Sequence, residues 1–401
     1  MKRFAMILPL LCLIIGFVHA GEPITIGETV TIQSKILGEE RTILVSTPPG
    51  YEQSSQRYPV LYMTDGSAHF THTRGTVDFL ARNGLMPQVI IVGINNTDRT
   101  RDLSPTHVAS RTVGGRVFEN PTSGGAPKFL DFFERELFPY VEANYRTLPM
   151  KLFTGHSFGG LFALNAFFTR PAMFESVLAV SPSLSWDDDL PIRQADAFFK
   201  DRDELNATLF VAMADEEEGD PAPTRLDRLE TAFAAADAED FEWQVMRMPD
   251  ENHGSVVLRA HYWGLRKAFD GWRLPADPET GRFAGGLDEL KAHYGGLSKR
   301  YGFTVIPDEA MINNVGYQIL GREEFKSAIA VFRYNVELYP DSANVYDSLG
   351  EAQENAGRSD EALASYSMAV ENAAKIGDDR LQIFTANRDR AKELVEQSKS
   401  D

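Results

Sequence analysis

Short, nearly continuous apolar runs at 60–63, 89–92, 152–153, 177–180, 209–212 and 243–246 punctuate the chain, separated by segments of helical length. Strands that are apolar along their whole length, rather than at every second position, are strands buried on both faces, so the alternation predicts an α/β fold with a mostly parallel sheet between two helical layers. Ahead of these runs, 29–33 and 42–46 alternate in character around Gly38-Glu39-Glu40, which predicts an antiparallel hairpin. The clearest helical periodicity runs from Ala126 to Tyr145. There Phe129, Leu130, Phe133, Leu137, Phe138 and Val141 keep the i, i+3, i+4 spacing of one buried helical face.

Past residue 270 the texture changes. Between 271 and 307 the chain carries Pro275, Pro278, Gly281, Gly285, Gly286, Gly295 and Gly296 and is expected to be a linker with short helical pieces. Beyond it, Gly316 and Gly350, Ala328 and Ala362, and Phe332 and Tyr366 repeat with a period of 34 residues. That period, with small residues where helices approach and an aromatic between them, predicts a tetratricopeptide-like all-α module over 308–401, capped by a helix at about 380–397. Its surface would suit a protein partner or self-association.

Composition sharpens the picture in three places. The 43% hydrophobic and 24% charged fractions over 401 residues fit one large globular domain plus a smaller one, and a net charge of −18 argues against nucleic acid as a partner. Residues 1–20 run from Lys2-Arg3 through an apolar stretch to Val18-His19-Ala20, the order of a cleaved signal peptide. The expectations are a periplasmic or secreted protein with no membrane association after cleavage, and an α/β domain over 21–270. Cys12, the single cysteine, would leave with that leader, so no disulfide is available and packing must supply the stability.

The candidate chemistry centres on Gly155-His156-Ser157-Phe158-Gly159, between the apolar run ending at Thr154 and the apolar segment 161–168. A Gly-x-Ser-x-Gly at a strand-to-helix turn presents a nucleophilic serine at the tip of a strained bend. A serine hydroxyl needs a base, usually histidine, oriented by a carboxylate. In the α/β-hydrolase order of serine, acid, histidine, His253, His261 and His293 are the histidines placed far enough downstream. His253 stands in a polar loop directly after a strand, His261 on a helix face and His293 in the linker, so His253 is the candidate base. The acid should follow the strand at 209–213, where Asp215, Glu216, Glu217 and Glu218 stay open. Oxyanion stabilisation requires two backbone N–H groups: Phe158 supplies one, and Gly66 or Ser67, after Thr64-Asp65, the other. His69 and His72 could share a metal ion, but no third ligand has suitable spacing, and neither metal nor cofactor is expected.

These residues, with Tyr58-Pro59-Val60-Leu61-Tyr62-Met63-Thr64-Asp65-Gly66, Val92-Gly93-Ile94 and Arg99-Thr100-Arg101-Asp102-Leu103-Ser104-Pro105, resemble the esterase family of α/β-hydrolases that includes enterochelin and bacillibactin siderophore esterases, feruloyl-type carbohydrate esterases and mycolyltransferases. The resemblance covers about residues 25–270 and implies an α/β-hydrolase fold and a serine esterase acting on a small-molecule ester. It favours Glu217 as the acid, since relatives end the acid strand in Gly-x-x-Glu, although Ala214 stands here in place of the glycine. It places the second oxyanion donor at Ser67, and it implies a C-terminal tetratricopeptide extension of a kind some members carry. Among Arg99, Arg101, Arg111 and Arg116, it points to Arg99 and Arg101 as candidate contacts to an anionic substrate. The alternatives are acyl transfer or feruloyl-type ester cleavage on the same fold, and a partner-binding protein with a vestigial hydrolase.

Overall fold

The computed structural model describes residues 24–398 apart from Ser54, Gly114, Asp201, 217–223 and Asp237. The leader-like residues 1–20, with Cys12, and the favoured acid Glu217 lie outside the described residues. The predicted hairpin forms from β1 (Glu28–Ser34) and β2 (Glu39–Ser46), and its turn is shifted back, with Gly38 at φ 76° and both glutamates already in β2. β2 then pairs antiparallel with β4 (Ile90–Ile94), and β3 (Tyr58–Met63), β7 (Thr147–His156), β8 (Ser176–Val180), β9 (Glu204–Ala214) and β10 (Glu239–Met248) continue the sheet in parallel. The order is β1-β2-β4-β3-β7-β8-β9-β10.

Both faces of this sheet are covered, as the apolar runs require. Tyr62, Val92, Phe153, Val177, Ala179, Leu209 and Val211 face one core cluster, while Leu61, Met63, Ile91, Leu152, Leu178, Val180 and Phe210 face another. Helices α1 (Gly66–Arg82) and α8 (Val256–Ala268) close the second face. The first face is closed by α3 (Ala126–Phe132) and α4 (Phe138–Asn144), α5 (Phe158–Thr169), α6 (Leu190–Phe199) and α7 (Arg225–Ala234). The long helix expected at 126–145 is present but passes through a π-helical turn at Phe133–Leu137, which lets Phe129, Phe133 and Phe138 meet Tyr62, Phe153, Phe162 and Phe174 in one aromatic cluster. A short α2 (Arg99–Leu103) and a two-stranded hairpin, β5 (Ser110–Val113) and β6 (Arg116–Glu119), lie between β4 and α3.

The segment read as a linker is more ordered than its glycines suggest. It holds α9 (Leu287–Tyr301), whose Leu290, Tyr294 and Leu297 are buried in the core of the C-terminal helices. Gly295 and Gly296 lie on the open side of this helix, with nothing within 4 Å of where a Cβ would stand, so they relax composition without breaking the helix. Five more helices follow: α10 (Glu309–Leu320), α11 (Phe325–Leu338), α12 (Ala343–Asn355), α13 (Ser359–Ile376) and α14 (Leu381–Ser398). The 34-residue repeat has a direct packing cause. A Cβ on Gly316 of α10 would stand 2.5 Å from the Phe332 ring of α11, and one on Gly350 of α12 would stand 2.8 Å from the Tyr366 ring of α13.

No room exists at Gly350 for a side chain without moving a fully buried tyrosine. Gly350→Leu should therefore destabilise the helical region by about 1–3 kcal/mol through overpacking, read as a shift to lower urea midpoint in far-ultraviolet circular dichroism. An unchanged midpoint would show that α12 and α13 do not pack through this pair.

Candidate active site

Ser157 follows β7 and precedes α5 with φ 61° and ψ −113°, a conformation L-residues adopt only under constraint. The constraint is backbone packing. The Ser157 N–H donates to the Val180 carbonyl at 2.9 Å, and the Ser157 carbonyl accepts from Leu161 and Ser183 at 2.9 and 3.3 Å. The neighbouring glycines allow this approach. A Cβ on Gly155 would strike the Gly159 carbonyl, one on Gly159 would strike Thr64 Oγ1, and one on Gly160 would lie 2.9 Å from Pro182 Cα. The helix that follows is buried on all sides from Phe158 to Phe168, so the elbow is anchored in the core.

The candidate oxyanion donors lie at two helix starts. Phe158 and Ser67 both lie in the first turn of their helices, α5 and α1, where backbone N–H groups have no intrahelical acceptor and the helix dipole favours negative charge. Asp65 holds the β3–α1 loop in place. It is 6% exposed, sits at φ 56°, and accepts from Arg99 Nε at 2.7 Å, Arg99 Nη2 at 3.0 Å and Asn96 Nδ2 at 2.5 Å. Burial works to raise its carboxyl, but the Arg99 bonds outweigh it and hold the group below the ordinary carboxylate range. Arg99 Nη2 also donates to the His156 carbonyl at 2.9 Å, so one guanidinium ties the oxyanion loop to the nucleophile turn.

Arg99 is thereby committed to the frame rather than turned to a ligand. Arg101 is committed too, bound to Glu39 at 2.6 Å and Asp102 at 2.7 Å. Asp102 is itself buried against Arg41 at 2.6 Å. Beside the ring of Phe158, the residue after Ser157, stands Arg111. Its guanidinium lies 4.6 Å from the Phe158 ring, 5.6 Å from Trp186 and 5.8 Å from Phe118, its Nε is buried without an acceptor, and burial lowers its pKa. No ion pair reaches it among the described residues. Arg116 lies exposed on β6.

On the other side of Ser157, the ring of His253 lies 4.5 Å from that of His156, centroid to centroid. His253 occupies the loop after β10, shaped by Asn252 Oδ1, which accepts from the N–H groups of Gly254 and Ser255, and by the Glu251–Arg259 ion pair at 2.9 Å. Its Nδ1 is 2.7 Å from Glu216 Oε2. Burial acts to raise the Glu216 carboxyl, but the hydrogen bond with His253 is the main cause that lowers it, and the group stays below its usual range. Of the two described carboxylates after β9, Asp215 and Glu216, it is Glu216 that stands at the imidazole. No feature of the sequence separated it from its neighbours.

Beneath the site lie three further histidines, His69, His72 and His261. His69 Nδ1 and His72 Nε2 are 3.1 Å apart, His69 stands edge-on to His156 at 5.5 Å, and His72 stacks on His261 at 5.4 Å. His261 is 2% exposed, its two nitrogens 2.9 and 3.1 Å from the hydroxyls of Thr73 and Thr154, as a structural helix-face histidine should be. His293 meets the Trp272 carbonyl in the C-terminal part. Among the described residues, no three metal-ligating side chains are arranged to hold an ion.

With this geometry in view, comparison with known proteins is informative. The family described as "Putative esterase" matches residues 34–239, just over half of the chain. The siderophore triacetylfusarinine C esterase of Aspergillus fumigatus is 35% identical over 176 residues, 40% of this chain and 57% of that protein. The ferri-bacillibactin esterase BesA of Bacillus subtilis is 30% identical over 181 residues, 42% of this chain and 61% of that protein. The matches therefore span about three fifths of the length of these curated relatives. Among solved structures, an IroE-like serine hydrolase from Shewanella oneidensis superposes with a TM-score of 0.63 at 27% identity, covering 78% of this chain and 99% of that one.

The histidines also carry a pH prediction. Burial lowers His156 and His72 to about 4, from 6.5, so between those values the unfolded chain binds protons that the folded chain refuses. Stability should then rise with pH across this window and fall as pH drops from about 6.5 towards 4. Urea unfolding at pH 7, 5.5 and 4.5 should show the midpoint falling at each step. A midpoint constant from pH 7 to 5 would mean these imidazoles are not buried as neutral groups.

Proposed function

On the premise that this chain belongs to the Esterase family, we propose that it is a serine carboxylic ester hydrolase working through Ser157, His253 and Glu216. The observation that carries the proposal is the 2.7 Å bond from His253 Nδ1 to Glu216, made by an imidazole whose ring abuts His156, the residue next to the strained serine. With Nδ1 engaged by the carboxylate, Nε2 is the nitrogen left to take the Ser157 proton. The serine oxygen attacks the ester carbonyl, the N–H groups of Phe158 and Ser67 hold the developing oxyanion, and the imidazolium returns its proton to the departing alcohol. Water, deprotonated by the same imidazole, then cleaves the acyl-enzyme.

The substrate class we propose is a siderophore ester bearing anionic, aromatic groups. The names of the relatives support it, and so does the local chemistry. Arg111, with the rings of Phe158, Trp186 and Phe118 around its guanidinium, offers among aromatic faces a cation that has no ion pair among the described residues, which suits a catecholate or carboxylate on a planar ring. The charged, apolar, small-residue order of residues 1–20 supports an exported enzyme. Reading the C-terminal helices as a surface for a protein partner or a second copy rests on the repeat period alone.

Ser157→Ala should reduce p-nitrophenyl butyrate hydrolysis by about a thousandfold or more with the circular dichroism spectrum unchanged. Retention of more than a few per cent of activity would refute the nucleophile. Arg111→Met keeps the apolar stem over Phe158 while removing the charge. It should raise KM for a catecholate trilactone by about tenfold and leave p-nitrophenyl butyrate within about twofold; equal loss on both esters would contradict anion recognition by this residue.

A further inference from the structure

Where the C-terminal helices meet the start of the sheet, the structure leaves a crevice of about 560 Å³, within the size range of small-molecule sites. Tyr58 and Met86 line it from the sheet side, and Trp272, Tyr294, Phe303 and Asp308 from the chain after α8. The rings are held in place. Trp272 packs on Phe269 and Tyr301 at 5.9 and 6.0 Å, Phe303 stacks on Tyr301 at 6.2 Å, and Arg300 Nη1 donates to the Asp270 carbonyl at 3.0 Å. This crevice is not the catalytic cleft. Its lining includes Leu148 at the start of β7, whereas Ser157 follows the end of that strand, about 30 Å further along it.

One carboxylate of this lining has no counter-charge. Asp308 precedes α10, opens onto the crevice and caps no helix N–H. No ion pair reaches it among the described residues, and loss of water around it pushes its carboxyl above the ordinary range. The other charged side chain of the lining, Arg57, donates to the Thr147 carbonyl at 3.4 Å. A carboxylate short of both water and a counter-charge is stabilised by a cation brought to it, and aromatic faces around it attract that cation further. We propose that the crevice binds a small organic cation, a protonated amine carrying an apolar or aromatic group, with Asp308 as its counter-ion. Trp272, Tyr294 and Phe303 pack against its apolar part. The inference rests on neither the triad nor the substrate class proposed above.

The test uses the full chain carrying nitrogen-15 tryptophan, whose four tryptophans give four indole N–H signals in NMR. That of Trp272 is assigned by its loss in Trp272→Phe. Phenethylamine should shift the Trp272 signal saturably, with a Kd of about 1 mM or below. The signal of Trp186, whose ring meets Phe158 at 5.2 Å, should stay in place. Asp308→Asn, nearly isosteric and on an open side chain, should weaken binding about tenfold or more. In the unaltered chain, phenylpropionate, of similar shape and opposite charge, should leave Trp272 unshifted at the same concentration. Absence of a Trp272 shift at about 20 mM phenethylamine, equal binding of phenylpropionate, or unchanged affinity in Asp308→Asn would overturn the proposal. So would a shift of Trp186 alone, which would put the amine at the catalytic end of the sheet.

Discussion

The close packing of backbone on backbone at the nucleophile turn is the constraint on which the site depends. Ser157 is held at φ 61° by hydrogen bonds to Val180, Leu161 and Ser183, and this is attainable only because Gly155, Gly159 and Gly160 carry no Cβ where the chain crosses itself, Thr64 and Pro182. Everything else is arranged around that bend. The all-round burial of α5 fixes its direction, the aromatic core below fixes α5, and the parallel order of β3, β7, β8 and β9 brings the loops that carry Ser67, Ser157, turn 180–183 and Glu216 to one edge of the sheet.

Electrostatics then complete what packing begins. Asp65, Arg99 and the His156 carbonyl form a clamp between the oxyanion loop and the elbow, while Arg41, Asp102, Arg101 and Glu39 form a second network one turn away. These buried pairs explain why a loop rich in arginine does not present a uniformly positive rim. The charges are mostly spent on structure, and the guanidinium of Arg111 stands among aromatic rings beside Phe158 with no ion pair among the described residues. In a protein of net charge −18, such a local cation matters more for orienting an anionic ligand than for drawing it in from a distance.

Much of this was legible along the chain because it is local. Apolar runs reported strands buried on both faces, the Gly-x-Ser-x-Gly reported its own strained turn, and the 34-residue recurrence of glycine and aromatic reported helix pairs that touch through those residues. The base could be reached by order and loop position. The candidate acid could not, because Asp215 and Glu216 stand side by side in one acidic run, and what separates them is a contact to His253 from a distant part of the chain. Glu217, favoured by family pattern, lies outside the described residues, and Glu216 is the carboxylate bonded to the imidazole. Which arginines pair internally was largely hidden for the same reason: Asp65 and Glu39 meet Arg99 and Arg101 only in three dimensions. In the segment 271–307, composition misled because two glycines occupy the open face of a helix that buries its apolar residues on the other.

The central claim is that one alcohol, Ser157, is activated by one imidazole. Its most direct test is the pH dependence of labelling by a fluorophosphonate, followed by mass mapping of the modified peptide. The account predicts a single adduct on the peptide containing Ser157, with a rate that rises through one ionisation and collapses in His253→Ala. Labelling elsewhere, or labelling of Ser157 that is indifferent to both pH and His253, would contradict it.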